Sequence, residues 1–150
     1  WDARVPLIIS APGIGKGGAK SRAISELIDI FPTLTDLSGL PSPPQLDGTS
    51  LVPVLKDART TVKIAALTQH PRPALYWGGG PQALPQVMGY ALKTDRWSYH
   101  EWRDFKTGNI VGQELYDEQT DPLETVNQAG TVDAAAVIPA LAEQLDALVK

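Results

Sequence analysis

The chain contains no cysteine, which excludes a disulfide scaffold, a thiolate metal site and a cysteine nucleophile together. The compartment stays open, because cysteine-free chains occur in reducing and oxidising spaces alike. Histidine is nearly as scarce. His70 and His100 are the only two, far apart and outside any ligand-spaced cluster, so metal binding has little to stand on. No apolar run approaches the roughly 18 residues of a membrane span. A basic surplus is missing too: the formal net charge is −4, which argues against a nucleic-acid binder. Residues 1–75 carry 8 Lys and Arg against 6 Asp and Glu, whereas residues 76–150 carry 5 against 11. An acidic second half has no electrostatic footprint for phosphate backbones or anionic lipid.

What is present describes an ordinary folded domain. The 150 residues are 43% hydrophobic and 20% charged, which excludes wholesale disorder. Thirteen glycines and 13 prolines point to a loop-rich chain rather than a helical bundle. The first residue is Trp1, not Met, with no signal segment behind it, and the chain is expected to be a piece of something longer.

Val5 to Ser10 is nearly continuously apolar and bounded by Ala11-Pro12-Gly13, as suits a strand buried on both faces of a parallel sheet. Ile24, Leu27, Ile28, Phe31 and Leu34 recur at helical spacing and predict a helix over residues 25–38, stopped by Gly39 and Pro41. Pro32 requires either a bend or a regular helix that starts later than Ser25. Residues 40–63 read as a proline-rich connection around the apolar segment Leu51 to Leu55. Ile64 to Gln69 is strand-like and is stopped by His70-Pro71-Arg72-Pro73. Val87–Lys93 and Trp97–Arg103 form a hairpin about the turn Thr94-Asp95-Arg96, with Met88, Tyr90 and Leu92 on one face of its first strand. Glu114 to Asp117 is a third short strand. A terminal amphipathic helix carries Val137, Ile138, Leu141, Leu145 and Leu148 on one side, with Asp133 as its expected cap. The fold class is therefore α+β: a small antiparallel sheet packed on a C-terminal helix, preceded by one strand-helix unit of parallel α/β type.

Several patterns could carry chemistry. Gly13, Gly15 and Gly18 spell G-x-G-x-x-G after a predicted strand, yet the apolar periodicity begins only at Ile24 and no second parallel strand follows. A surface loop whose glycines tolerate turns is the simpler reading. Asp117, Asp121 and Glu124 fall near calcium-loop spacing but lack its glycine and flanking helices, and read as a solvated turn. No G-x-S-x-G elbow nominates a serine nucleophile. In Gln69-His70-Pro71-Arg72-Pro73, two prolines stiffen a segment that presents His70 and Arg72. The arginine fork suits a sulfate or carboxylate; equally it could pair with a buried carboxylate and hold the loop, the commoner and favoured use. Trp77, Tyr90, Trp97, Tyr99 and Trp102 could form a sugar-stacking platform, though aromatics on hairpin strands are more often cross-strand pairs and core.

Four segments in order resemble the C-terminal part of a sulfatase of the alkaline-phosphatase superfamily. Arg4-Val5-Pro6-Leu7-Ile8-Ile9 with Ala11-Pro12-Gly13 resembles a strand of the family's large domain. Asp29-Ile30-Phe31-Pro32-Thr33-Leu34 with Ser38-Gly39-Leu40 is similar to its D-I-x-P-T-L helix, and Asp47-Gly48-Thr49-Ser50-Leu51 to its D-G-x-S-L loop. Glu114-Leu115-Tyr116-Asp117, then Asp121-Pro122-Leu123-Glu124 and Asn127, resembles E-L-Y-D…D-P-x-E-x-x-N. His70-Pro71-Arg72-Pro73 and Met88-Gly89-Tyr90-Ala91-Leu92-Lys93-Thr94 look like the Y-P-R-P and M-G-Y-S-I-R-T of the iduronate-2-sulfatase-like branch, with His70 in place of tyrosine.

The resemblance implies a parent enzyme that cleaves sulfate esters with a formylglycine nucleophile, a calcium ion, and Lys and His residues that handle the sulfate and leaving oxygen. None of these can be matched here, since the chain has neither cysteine nor an S-x-P-x-R motif. The implied organisation is residues 1–40 as the last strand-helix unit of the large domain, 41–63 as a connecting loop and 64–150 as the C-terminal antiparallel-sheet subdomain. No catalytic residue and no metal ligand is expected in this chain. His70, Arg72 and Trp77 are the expected substrate-proximal residues; the N-terminal catalytic part of the same protein and a sulfated small molecule or glycan are the expected partners. A non-catalytic carbohydrate-binding module is the alternative. The resemblance favours a periplasmic, extracellular or lysosomal setting.

Overall fold

The computed structural model describes residues 3–73 and 85–149. The chain divides into two compact units, Trp1–Ala66 and Leu67–Lys150.

In the first unit, a single 3-10 turn at Leu27–Asp29 leads into helix α1, Ile30–Leu37. Pro32 is the third residue of α1, where its missing N–H has no intrahelical partner to lose, so the regular helix simply starts later than Ser25. Gly39 ends it as expected. Its φ of 65° lets the Gly39 and Leu40 amides donate back to the carbonyls of Asp36 and Thr35, the paired bonds of a Schellman terminus. The apolar segment within the connection becomes a short helix, α2, Val52–Lys56, with Pro53 in its first turn and Leu51 and Val52 buried.

The strand expected over Val5–Ser10 is not formed. Residues 4–10 join no ladder, and Ile8 is 91% exposed. A doubly buried strand exists only between neighbours, and all four strands of the described residues belong to a different sheet. No helix starts at Gly18, so the glycine pattern opens no dinucleotide site. Gly15, at φ 66°, packs so closely under the Leu55 carbonyl that a Cβ would fall 1.8 Å from the oxygen.

The four-stranded antiparallel sheet, which belongs to the second unit from Leu67 onward, has the order β1 (Ala65–Arg72), β2 (Val87–Thr94), β3 (Trp97–Asp104) and β4 (Ile110–Asp117). β1 runs three residues beyond the predicted stop, through Pro71. A proline is accommodated there because β1 is an edge, where no ladder partner needs its N–H. The hairpin and its alternation are as expected: Leu92 stands opposite Tyr99, and Tyr99 opposite Leu115, and all three are 0% exposed. Helix α3, Val132–Leu148, covers this face with Ala134, Leu141 and Leu145. Its cap is Thr131, whose hydroxyl accepts from the Ala134 amide at 3.2 Å; Asp133 sits in the first turn instead. Among the described residues no helix is long and apolar enough to cross a membrane.

Candidate functional site

The sheet has two unlike faces. Beneath α3 the polar groups are consumed by structure. Buried Glu101 accepts from the Tyr99 hydroxyl at 2.6 Å and from Arg103, which also reaches Asp146 of α3 at 2.6 Å. Gln113 donates to the same tyrosine oxygen at 2.7 Å. Burial, then the Glu101 carboxylate, raises the Tyr99 hydroxyl far above its ordinary value. Such a closed network fixes a core and leaves nothing to offer a substrate.

The opposite face presents Trp102, His100 and Ser98 from β3 and Gly112, Glu114 and Tyr116 from β4, residues directly paired in the register. The Trp102 indole N–H donates to one Glu114 oxygen at 2.9 Å, and the Tyr116 hydroxyl donates to the other at 2.8 Å. Burial and the Glu114 carboxylate push the Tyr116 hydroxyl up to about 12. His100 meets the Tyr116 ring edge-on at 5.7 Å, with its Nε2 2.9 Å from Ser98 Oγ. Burial pushes this imidazole below its ordinary value, although Glu114 and Glu124 pull the other way. At the turn end, Lys93 bridges Glu118 and Glu124. Burial alone would raise Glu124, yet the Ser98 hydroxyl, the coupled neighbour Glu118 and the Lys93 ammonium hold it down to about 2.

His70 and Arg72 lie at the end of β1, both exposed, and strand alternation puts them on one side. The Arg72 guanidinium lies over the Trp102 ring, 6.0 Å from its centroid. The favoured pairing of Arg72 with a buried carboxylate is not formed among the described residues. Its contact is aromatic instead. Trp77 lies outside the described residues. The five-aromatic platform is not assembled from the others: Tyr99 is core, Arg96 covers Trp97 at 4.6 Å and Arg103 covers Tyr90 at 5.0 Å. Sequence reasoning missed Glu114 as the clamp on Trp102; the only signal was its place opposite the tryptophan strand.

The acidic residues near calcium-loop spacing, Asp117, Asp121 and Glu124, are engaged within the fold. One Asp121 oxygen accepts from the Thr125 and Val126 amides and the other from the Thr125 hydroxyl, while Asp117 is held by Arg96 at 2.8 Å and by the Gln119 amide. Among the described residues no three His, Asp or Glu side chains are grouped to hold a metal.

Comparison with known proteins places this geometry. Residues 2–150 match the family described as N-sulphoglucosamine sulphohydrolase, C-terminal. Arylsulfatase K of Homo sapiens is 33% identical over 136 residues, covering 85% of this chain and 23% of its own. The Danio rerio protein of that name is 31% identical over 149 residues, covering 99% and 25%. This chain thus spans about a quarter of the length of those curated relatives. A solved structure in complex with its substrate D-glucosamine-2-N,6-O-disulfate superposes with a TM-score of 0.69 at 27% identity, over 90% of this chain and 26% of that one. The phosphonate monoester hydrolase of Silicibacter pomeroyi shares the fold, with a TM-score of 0.70 at 24% identity over 90% of this chain and 26% of its own. Matched along nearly its whole length, the chain belongs to the sulfatase family, as that family's C-terminal region.

Proposed function

We propose that this chain is the C-terminal part of a sulfuric ester hydrolase that acts on sulfated sugars. It completes the fold and supplies one wall of the substrate cleft, while the nucleophile and the metal reside in the N-terminal part of the same protein. The observation that carries this reading is the match from residue 2 to residue 150, by a chain about a quarter as long as its relatives. Two features support it: there is no cysteine and no S-x-P-x-R motif, and Asp121 and Asp117 are engaged by backbone amides and by Arg96. Formylglycine and calcium are the nucleophile and metal that the parent enzyme would use. A sulfated sugar is favoured as substrate because a structural relative at 27% identity is in complex with D-glucosamine-2-N,6-O-disulfate.

Within the family, His70-Pro71-Arg72-Pro73 and Met88-Gly89-Tyr90 support the iduronate-2-sulfatase-like branch. The wall is formed by His70 and Arg72, with Trp77 following in sequence. The test is turnover of a chromogenic aryl sulfate and of sulfated disaccharides by the full-length protein and by these 150 residues alone. The full-length protein is expected to turn over and the isolated chain to be inert. Hydrolysis by the isolated chain would overturn the proposal. Retained binding of sulfated glycans without the N-terminal part would favour a carbohydrate-binding module instead.

A further inference from the structure

The geometry points to Trp102 as a positioning residue that holds Arg72 ready for the anionic group of a substrate, a role that rests on the sulfate-ester reading above. Three arginines of the second unit lie over aromatic rings, and they differ in what else they hold. Arg96 over Trp97 is tied to Asp117, and Arg103 over Tyr90 is tied to Glu101 and Asp146. Arg72 over Trp102 is exposed and holds no carboxylate among the described residues. Contact with a ring face spends none of the five N–H donors of a guanidinium, so the planar fork stays available for an oxyanion.

The indole itself is immobilised. Glu114 fixes its N–H, and Tyr116 fixes Glu114. The ring is seated against two glycines that flank it in the ladder, Gly89 on β2 and Gly112 on β4. A Cβ at Gly89 would lie 2.7 Å from the ring, and one at Gly112 3.4 Å from it. Glycine inside a strand weakens the strand, so two of them on either side of one tryptophan mark space kept for the indole. Packing that holds the guanidinium beforehand lowers the side-chain entropy lost when an anion is gripped. The fitting ligand group is a sulfate ester, met on the sheet face away from α3.

The test uses the full-length protein with Arg72→Ala, Trp102→Leu, Trp102→Phe and the Arg72→Ala/Trp102→Leu double variant. KM and kcat are measured for a sulfated sugar, and inorganic sulfate binding is measured by calorimetry. Arg72→Ala is expected to raise KM about tenfold to hundredfold, as for a lost charge-assisted bond, with kcat within about twofold. Trp102→Leu should raise KM by part of that factor and add nothing once Arg72 is gone, while Trp102→Phe restores most of the affinity. If Trp102→Leu does not fold, Gly89→Ala replaces it, displacing the ring without deleting it. An unchanged KM in Arg72→Ala, or a Trp102 effect of equal size with and without Arg72, would overturn the inference. A wild-type protein that turns over no sulfate ester would instead refute the sulfatase reading. Inorganic sulfate affinities then decide on Trp102 by themselves: the same order among the variants supports it, and equal affinities overturn it.

Discussion

Replacing Asp29 with alanine should be the most damaging single change in the first unit. Its carboxylate is completely buried and accepts three hydrogen bonds: from the Glu26 amide at 2.7 Å, the Thr49 amide at 2.8 Å and the Lys63 ammonium at 2.7 Å. Alanine leaves two amides without their acceptor, each worth about 1–3 kcal/mol when buried. It also removes one of the two carboxylates that hold Lys63, although Glu26 remains at 2.7 Å. Breaking a buried charge pair from one side costs about 3–5 kcal/mol. These contributions overlap, and the surviving Glu26 softens the second, so a loss of about 3–5 kcal/mol is expected in total. At roughly 2–4 °C per kcal/mol for a chain of this size, the midpoint should fall by about 6–20 °C. Thermal unfolding by circular dichroism measures this, and faster amide exchange at Thr49 and Leu51 locates it in the first unit. Asp57→Ala is the control, since the solvent-exposed pair with Arg59 should contribute little. An Asp29→Ala midpoint within about 2 °C of wild type would refute the reasoning.

Two further outcomes follow from single side chains. Thr131→Ala deletes the hydroxyl that accepts from the Ala134 amide, so denaturant unfolding should show about 1 kcal/mol less stability, whereas Asp133→Ala should cost less. Glu124 is held down to about 2, against 4.5 unfolded, so the stability it contributes is present above pH 4.5 and is lost as pH falls toward 2. Glu124→Gln should flatten that part of the stability–pH curve, and an unchanged acid limb would contradict the Lys93 and Ser98 contacts as its cause.

How much was legible in the sequence differed between the two faces of the sheet. The row Leu92, Tyr99 and Leu115 follows from period-two alternation, because one face is buried and a slip by one residue would expose it. The extension of β1 through Pro71 was not legible, since a proline stops a strand only where its N–H would be needed, and edge position is a property of the assembled sheet. The full length of β4 was missed for a related reason: Ile110 and Val111 are both exposed and break the alternation beside a bulge at Trp102 and Arg103. The pairing expected for Arg72 is not formed among the described residues, because sequence cannot say which ring or carboxylate three-dimensional register brings near an exposed fork.

Several segments that carry the family resemblance are fastened by polar joints as well as by apolar core. The Thr33 hydroxyl accepts from the Leu51 amide at 2.9 Å, beside the Asp29 bond to Thr49, and Asp36 accepts from Ser50 at 2.6 Å. The D-I-x-P-T helix and the D-G-x-S-L loop are thereby fastened side chain to backbone. Gly48 lies between them, where a Cβ would fall 2.1 Å from the Ile28 carbonyl oxygen. In the second unit, Asn127 accepts from the Leu115 amide and closes the outer edge of β4, and Asp121 folds the preceding turn onto its own oxygens. Apolar core positions accept substitutes of similar volume, whereas a buried donor and its acceptor must match in chemistry, distance and direction. Such joints therefore write a specific signature into the sequence. A side chain on an exposed sheet edge is under no such local requirement, which is why the family of this chain is easier to read from its sequence than any ligand it meets.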